Sequence, residues 1–405
     1  MTDRVRLGDI ADVFNGKTPS KAEQRDRGHP VLKVRDVDEH GRHRGTTVSY
    51  VDHDLAAKYQ SKWVKAGDTL ILNAAHNADY VASKTYFAGD EAAGSLATGE
   101  WLLVRPRADM ADPAYLNFWL RSGQARDSIR FLVKGIHLYP KDVADLELVL
   151  PALPEQRRIV DLLSRAEGIV RLRRQAQQKA ASIVPALYLD MFGDPATNSK
   201  NLPTEPLDNL CTLVRGSSPR PQGDPRFFGG PVPRLMIADI TRDGTYVTPR
   251  IDSLTEEGAT KSRPMKRGEV VMAVSGAVGL PAILAVDACI HDGFVGFRNL
   301  SREIKPEFFY NYLAALRHFS RTQAVGATFQ NLKTEQIRVW QVPRPSAAAQ
   351  QRFAELAASA RSIEVQQVAA FSKAEAMFQA LLAQSFPGER QTPDFVADRG
   401  EAVPS

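Results

Sequence analysis

An internal repeat constrains the fold of this 405-residue chain more than any other feature. The segment LGDIADVFNGKTPS, residues 7–20, returns as LDNLCTLVRGSSPR, residues 207–220. The segment PVLKVRDVDEHG, residues 30–41, likewise returns as PRLMIADITRDG, residues 233–244. The offset between matched residues drifts between about 190 and 203, as expected when loops differ in length. The sequence therefore predicts two copies of one domain.

Each copy combines strand and helix patterns, which predicts domains of the α/β (α+β) class. Alternating apolar and polar residues predict half-buried strands, and prolines at early helical positions predict amphipathic helices. The matched pairs beyond the first two are 65–72 with 266–273, a glycine–acid turn into a strand, and 112–120 with 305–313, a helix.

A long helical segment follows each copy, at residues 155–192 and 349–386. Apolar residues spaced by three and four form a heptad-like stripe, and abundant alanine permits close approach, so we expect an antiparallel, coiled-coil-like pair. Pro185 is expected to interrupt and kink the first helix. The predicted organisation is a first repeat domain (1–150), a helix (151–199), a second repeat domain (200–345), a second helix (346–387) and a disordered tail (388–405).

The bulk composition favours a globular protein with a polyanionic partner. The chain has 52 Lys and Arg against 47 Asp and Glu, a formal net charge of +5, and 43% apolar residues. No apolar run approaches the roughly 20 residues that cross a bilayer, and the N-terminus lacks signal-peptide features, so we expect a cytoplasmic protein. The two cysteines lack a metal-ligand spacing.

Catalytic motifs are lacking in the sequence. Asp292, Glu303 and Lys305 imitate the acid…Glu-x-Lys arrangement of a nuclease metal site, but Lys305 precedes the proline of a predicted helix start, which favours a structural interpretation. SGAVG, residues 275–279, lacks the lysine of a phosphate-binding loop and is typical of a tight turn. The sequence predicts recognition rather than catalysis, with neither metal nor cofactor bound by this chain.

The ordered motifs resemble those of specificity (S) subunits of type I restriction-modification systems. In the first copy these are LGDIADVFNGKTPS, VLKVRDVDEHG, KAGDTLILNAAHNADYV, KGIHLYPKDV and LVLPALPEQRRIVDLL. In the second they are RGSSPRPQG, MIADITRDG, RGEVVMAVSGAVG and VGATFQNLKTEQIRVWQVPRPSAAAQQRF. The resemblance extends over residues 5–386, and the duplicated order is more specific than any single motif.

This resemblance implies a non-catalytic subunit of a methyltransferase/endonuclease complex that acts in phage defence. Two target-recognition domains would each read one half of an asymmetric bipartite site in double-stranded DNA, and the two helices would set the spacer between the halves. Two modification (methyltransferase) subunits would dock on the helices, and restriction subunits would join them. S-adenosylmethionine and ATP/Mg would belong to those partners.

Candidate DNA contacts are the polar loops that follow the repeated elements. Arg or Lys pairs favourably with guanine, and Asn or Gln with adenine. The first-repeat candidates are Lys17, Thr18, Lys21, Arg25, Asn73, His76, Asn77, Lys134, His137, Tyr139 and Lys141, with Lys33 and Arg35 on one face of a predicted strand. The second-repeat candidates are Ser217, Ser218, Arg220, Gln222, Ser275, Thr328, Gln330 and Asn331.

The first helix start carries the candidate partner contacts Glu155, Gln156 and Arg157. The second helix has Ala349 where the first has Glu155, so the two starts are not expected to dock a partner identically. Further along the first helix, Arg171, Arg173 and Arg174 could contact phosphates or form a solvated face. Two other classes stay open: a self-standing site-specific nuclease and a DNA-recognition adaptor of another phage-defence complex.

Overall fold

The computed structural model describes residues 3–322 and 333–387, which divide into two units. The first unit holds residues 3–174 and 370–387, and the second holds 175–322 and 333–369. Each unit therefore contains one copy of the repeat and part of both long helices.

The first unit is built from short strands and helices that follow the chain. Its strands are β1 (Asp3–Arg6), β2 (Ala11–Asn15), β3 (His29–Leu32), β4 (Tyr50–Val51), β5 (Thr69–Leu72), β6 (Thr85–Phe87), β7 (Leu96–Ala97), β8 (Trp101–Pro106) and β9 (Glu147–Leu150). Its helices are α1 (Leu7–Ile10), α2 (His53–Ala57), α3 (Pro113–Arg121), α4 (Gly123–Phe131), α5 (Pro140–Ala144) and the first part of α6 (Leu153–Phe192).

The second unit repeats this succession. Its strands are β10 (Thr204–Pro206), β11 (Thr212–Arg215), β12 (Phe228–Leu235), β13 (Tyr246–Val247), β14 (Asp252–Leu254), β15 (Arg263–Met265), β16 (Val270–Ala273), β17 (Pro281–Leu284), β18 (Ala288–Ile290), β19 (Phe294–Arg298) and β20 (Gln341–Pro343). Its helices are α7 (Leu207–Leu210), α8 (Ile237–Asp243), α9 (Glu256–Thr260), α10 (Pro306–Thr322), α11 (Thr334–Arg338) and α12 (Ala347–Ser385), whose last part belongs to the first unit.

The two units share their sheet topology. The antiparallel order β2–β8–β5–β6 of the first unit returns in the second as β11–β19–β16–β17, extended by β13. The order β4–β3–β7 returns as β14–β12–β18, extended by β15, and β3–β7 and β12–β18 are both parallel pairs. This mixture of sheets and helices confirms the predicted α/β (α+β) class with an internal repeat.

Each unit buries an amphipathic helix against its sheet and the long helices. In the first unit Pro113 begins α3, and the Asp112 carboxylate accepts the N–H groups of Ala114 and Tyr115 at 2.9 and 3.2 Å. Proline early in a helix loses no hydrogen bond, and a capping carboxylate satisfies the free N–H groups, so the sequence fixes this helix start. The apolar face of α3 shares a core with residues 163–166 of α6 and 378–386 of α12.

The long helices run antiparallel within each unit. In the first unit, Leu163 of α6 shares a core with Phe378 and Leu382 of α12, while the Arg174 guanidinium lies 5.2 Å from the centre of the Phe371 ring. Residue numbers thus rise along α6 as they fall along α12. The second unit shows the same direction, because Phe192 packs on Phe353 at 5.4 Å and residues 184–188 share a core with residues 357–360.

Two predictions about local structure are wrong. Helix α6 continues through Pro185 without interruption. The strands predicted to run up to Asp36 and Asp239 end earlier, at Leu32 and Leu235, and helical turns follow at Val34–Asp36 and Ile237–Asp243. The reason lies in Asp36 and Asp239, whose buried carboxylates accept the N–H groups of Lys33 (2.8 Å) and Met236 (3.0 Å), which turns the backbone.

Within residues 3–322 and 333–387, no helix combines the length and the apolarity needed to span a bilayer. The tail predicted at residues 388–405 lies outside the described residues.

Candidate nucleic-acid interface

The first repeat places its Gly16 turn directly against a neighbouring strand end. The N–H groups of Gly16 and Lys17 donate to the carbonyl oxygens of Trp101 (3.0 Å) and Ala97 (2.8 Å). A Cβ atom on Gly16 would overlap the carbonyl oxygens of Ala97 and Thr98, and both belong to backbone. Glycine is therefore required here by close approach of two backbones, and the turn projects residues 17–25 outward.

The second repeat builds the same turn at Gly216. The N–H groups of Gly216 and Ser217 donate to the carbonyl oxygens of Phe294 (2.9 Å) and Ile290 (3.2 Å). A Cβ atom on Gly216 would overlap the His291 carbonyl oxygen. The shared Gly-x-[Thr/Ser]-Pro motif thus fixes one backbone geometry twice.

Hydroxyl groups two residues after each glycine hold these turns closed. Thr18 Oγ1 accepts the Gly99 N–H at 2.8 Å. Ser218 Oγ donates to the Asp292 carboxylate at 2.6 Å and accepts from Arg234 at 3.0 Å, and the bond to Ser218 lowers the pKa of Asp292. The Ser218 hydroxyl thus helps to hold the turn within the protein, and its contact with a DNA base stays a prediction.

A pair of basic residues that the sequence analysis missed supports the same turns. Lys62 Nζ donates to the carbonyl oxygen of Asn15 at 2.5 Å, and Arg263 Nε donates to that of Arg215 at 3.0 Å. Asn15 and Arg215 end the equivalent strands β2 and β11, immediately before the glycines. The signal was present in the matched segments QSKWVKAGD (60–68) and KSRPMKRGE (261–269), which place a basic residue at the same point.

A cation–π contact ties each turn to the segment that carries this basic residue. In the first repeat the Lys17 ammonium lies 5.4 Å from the centre of the Tyr59 ring. In the second repeat the direction is reversed, with the Lys261 ammonium 3.9 Å from the centre of the Phe227 ring. Burial and the nearby charge of Lys17 lower the pKa of Lys62. Residues 53–63 and 256–263 are therefore called the supporting segments.

Two first-repeat loops predicted to contact DNA meet at the end of β5. The Leu138 N–H donates to the Asn73 carbonyl at 2.8 Å, and Ala74 pairs with His137 in a β-bridge. Asn73 itself is buried, and its side-chain amide donates to Asn15 Oδ1 at 2.7 Å. Asn73 thus orders the loops that surround it, and contact of its side chain with DNA stays a prediction.

Several predicted first-repeat contacts are instead held by internal hydrogen bonds. Arg25 binds Asp52 through Nε (3.2 Å) and Nη2 (2.7 Å). Lys33 Nζ donates to the Gln24 side chain at 2.9 Å, and Arg35 donates to Ser49 Oγ at 2.9 Å. The prediction that Lys33 and Arg35 share a strand face is wrong, because they lie at the start and inside of the helical turn at Val34–Asp36.

Other predicted contacts present exposed side chains around the turns and loop ends. Some of these also bind within the protein. Thr18 accepts the Gly99 N–H at 2.8 Å and Asn77 Oδ1 accepts the Asp79 N–H at 3.1 Å, while Lys134 pairs with Asp142 at 2.7 Å and Arg220 with Asp292 at 3.7 Å. The exposed candidates are Lys17, Thr18, Lys21, His76, Asn77, Lys134, His137, Tyr139, Lys141, Arg220, Gln222 and Ser275. Their contacts with DNA stay predictions.

In the second repeat, Ser217 Oγ donates to the Lys261 carbonyl at 2.6 Å, which ties it to the supporting segment. Arg220 lies 3.7 Å from the Asp292 carboxylate with most of its side chain exposed. The predicted contacts Thr328, Gln330 and Asn331 lie outside the described residues.

The start of each long helix is pinned by a buried glutamine. Gln156 Oε1 accepts the Asp112 N–H at 2.8 Å, and its Nε2 donates to the carbonyls of Met110 (3.2 Å) and Pro151 (2.8 Å). Gln350 makes the equivalent bonds in the second repeat at 2.8–2.9 Å. Gln156 is 1% exposed and its amide is engaged internally, and its contact with a partner subunit stays a prediction.

The other two predicted partner contacts remain accessible. Arg157 is exposed, and the half-exposed Glu155 forms a bidentate ion pair with Arg158 at 2.7 and 2.8 Å. This pairing lowers the pKa of Glu155 and keeps it ionised near neutral pH.

The imitation of a nuclease metal site is not assembled. Across the described ranges 3–322 and 333–387, no three His, Cys, Asp or Glu residues lie close enough together to hold a metal ion. Glu303 instead pairs with Arg344, and its carbonyl oxygen accepts from Gln350. Both cysteines are buried, and burial raises the pKa of the Cys211 thiol to about 12.

Comparisons with known proteins agree with this duplicated architecture. The family model for the type I restriction modification DNA specificity domain matches residues 2–181 and 225–357. The MjaX type I restriction enzyme specificity subunit of Methanocaldococcus jannaschii is 18% identical over 369 residues, which cover 86% of this chain and 84% of that protein.

Two solved structures share the fold. A chain from a study of complex assembly and conformational transition of the type I R-M system superposes with a TM-score of 0.63 at 19% identity, covering 95% of this chain and 97% of that one. The type I restriction-modification S subunit from M. genitalium superposes with a TM-score of 0.52 at 12% identity, covering 96% and 97%.

The two matched segments cover most of the sequence, so the chain belongs to the type I restriction modification DNA specificity family. Its role is that of the specificity subunit, the component of a type I restriction-modification system that recognises the DNA target.

Proposed function

We propose that each repeat reads one half of an asymmetric bipartite DNA site through the side chains around its glycine turn. The observation that supports this proposal is that the two repeats share the backbone structure of the turn but expose different side chains on it. The turns at Gly16 and Gly216 share their backbone hydrogen bonds and a basic support beneath them. The side chains that they project differ, KTPSKAEQRDR against SSPRPQGDPR.

Identical readers related by two-fold symmetry would specify a palindrome, whereas these two specify different half-sites. Exposed Lys17 and Lys21 suit phosphates and guanine, and exposed Arg220 and Gln222 suit guanine and adenine respectively. Fixed turns with divergent side chains are a suitable basis for two independent specificities on one chain.

The long helices set the spacing between the half-sites in this proposal. Helix α6 has 40 residues, and at about 1.5 Å per residue it extends roughly 60 Å. Both half-sites face the same side of the duplex when they lie about one helical turn of DNA apart, on the order of 10 base pairs. Base pairs rise about 3.4 Å, so the helix is longer than this separation.

Modification subunits dock at the helix starts in this proposal. A groove of about 560 Å³ lies beside the start of α6 in the first unit, lined by Glu155, Arg158 and the apolar Val149, Leu162 and Phe386. Val149 and Leu162 are each more than 40% exposed, which is unfavourable unless a partner covers them. Ala349 replaces the acidic residue at the second helix start, so the two docking sites differ in charge.

Catalysis belongs to the partner subunits in this proposal, together with S-adenosylmethionine and ATP/Mg. Support comes from the missing catalytic motifs and from the ion pair that occupies Glu303. The chain with its modification subunits is expected to methylate one bipartite sequence in a methylome, and the chain alone is expected to bind DNA weakly. Cleavage of plasmid by the chain alone with Mg²⁺ would contradict the proposal, as would methylation at a single undivided motif.

A further inference from the structure

A groove of about 480 Å³ in the first unit is lined by an unusual concentration of arginines. It lies between α3, α4, the loop at residues 39–42, and the helices α6 and α12. We call it the arginine groove, and the arginines that line it are Arg42, Arg121, Arg126, Arg171 and Arg174.

Two of these arginines form a half-buried floor that is already neutralised. Arg121 pairs with Glu167 at 2.5 Å, and its side chain is 24% exposed. Arg174 lies 3.8 Å from Glu375, and its side chain is 22% exposed. These pairs, together with the contact between Arg174 and the Phe371 ring, hold the floor in a fixed shape.

The rim of the groove carries further arginines, whose charges are not neutralised by the two ion pairs of the floor. Arg126 and Arg171 are exposed, and neither forms an ion pair within the part of the chain that the structure describes. Desolvation is the main cause that lowers the pKa of Arg126, and repulsion from the guanidinium groups of Arg121 and Arg130 lowers it further. The remaining carboxylate of the groove, Glu39, lies 4.0 Å from Arg44. An anion at the rim would relieve this repulsion.

The fold itself does not require these charges. The second repeat has Ala314 for Arg121 at the offset of 193 that relates 112–120 to 305–313, and Val365 for Arg171 and Val368 for Arg174 at the offset of 194 that relates the long helices. Val365 is 69% exposed and Val368 is 42% exposed, so the equivalent helix positions there are open and apolar. The arginine groove is therefore a feature added to the first repeat alone.

We propose that the arginine groove binds the phosphodiester backbone of the DNA beside the half-site that the first repeat reads. This inference rests on the proposed function, in which each repeat reads one half-site. Guanidinium groups match phosphate geometry and stay charged at all physiological pH values. Arg126 lies on α4 and Arg171 and Arg174 lie on α6, all within the unit that carries the first reading turn.

The test compares two double variants of the full chain, each co-purified with modification subunits. R126Q/R171Q removes two charges from the groove rim. R165Q/R173Q removes two charges at exposed positions of α6 that do not line the groove. Affinity is measured on a cognate duplex and on one with both half-sites scrambled, between about 50 and 200 mM salt.

The groove variant is expected to bind both duplexes about tenfold more weakly than the control variant. It should also lower the slope of log affinity against log salt by about 0.9 for each lost phosphate contact. Its ratio of cognate to scrambled affinity should stay at the wild-type value, because phosphate contacts carry no sequence information.

Three results would overturn the proposal. Equal losses in both double variants would show general electrostatics, and unchanged affinity in R126Q/R171Q would show that no DNA contact is made. Loss of modification subunits from R126Q/R171Q, with normal DNA affinity of the complex that remains, would show that the groove holds an acidic partner segment. A wild-type complex without cognate preference would count against the proposed half-site function and is distinguishable from all three.

Discussion

Alanine in place of Gly16 is expected to disrupt the first reading turn. The added Cβ atom would overlap the backbone carbonyls of Ala97 and Thr98, which cannot rotate away as a side chain could. Relief requires the turn to move off the strand, with loss of the hydrogen bonds to Trp101 and Ala97 at 3.0 and 2.8 Å.

The magnitude follows from these two effects. Each lost backbone hydrogen bond costs about 0.5–1.5 kcal/mol, and forced overpacking costs about 1–3 kcal/mol. The sum is about 2–6 kcal/mol. At roughly 2–4 °C per kcal/mol for a domain of this size, the melting midpoint of the unit should fall by about 5 °C or more. Gly216→Ala should act similarly through the His291 carbonyl.

Gly123→Ala supplies a matched control for this substitution. Gly123 begins α4, and a Cβ atom there would meet nothing within 4 Å. Its alanine variant should be neutral or slightly more stable, by up to about 1 kcal/mol. Calorimetric melting of the three variants decides the matter. If Gly16→Ala melts like the Gly123→Ala control, the close approach does not constrain the turn and the reasoning fails.

Lys62→Met and Arg263→Met should each relax recognition of one half-site about tenfold, with recovery in Lys62→Arg and Arg263→Lys; specificity profiling of methylated DNA checks this, and no recovery would indicate a purely steric role. Gln156→Leu or Gln350→Leu leaves backbone groups at a helix start unpaired and should destabilise the protein by about 2–4 kcal/mol, which denaturant titration measures; an unchanged midpoint would refute the pinning role. Insertion of one helical turn, about four residues, after Arg165 should lengthen the spacer of the methylated site by about one or two base pairs while preserving both half-sites. An unchanged spacer in the methylome would show that the helices do not set the spacing.

The repeat, the sheet-rich domains and the two long helices could be predicted because they depend on patterns within short segments. Gly-x-Thr-Pro and Gly-x-Ser-Pro, separated by 200 residues, mark the same turn in both repeats. Helical periodicity also gave the antiparallel pair. That helix α6 continues through Pro185 was not predictable from the sequence. A proline inside a helix removes one backbone hydrogen bond, and the packing of the helix on either side of it decides whether the helix continues.

The candidate interface was predicted less well, because the hydrogen bonds of its side chains are made to residues far away in the sequence. Asn73 meets Asn15, 58 residues away, and Gln156 meets Asp112, 44 residues away. No local pattern distinguishes these buried amides from exposed ones. Lys62 was missed for the same reason, since its partner is a backbone carbonyl that carries no sequence signal.

The most direct test of independent reading is the methylome of cells that carry Arg220→Ala with Gln222→Ala. Both side chains are exposed on the second turn, where Arg220 lies 3.7 Å from the Asp292 carboxylate. Each lost base contact costs about 1–3 kcal/mol of discrimination. The expected result is that one half-site becomes relaxed or lost, while the other half-site and the spacer stay as in the wild type. Equal damage to both half-sites would contradict the account of two independent readers on one chain.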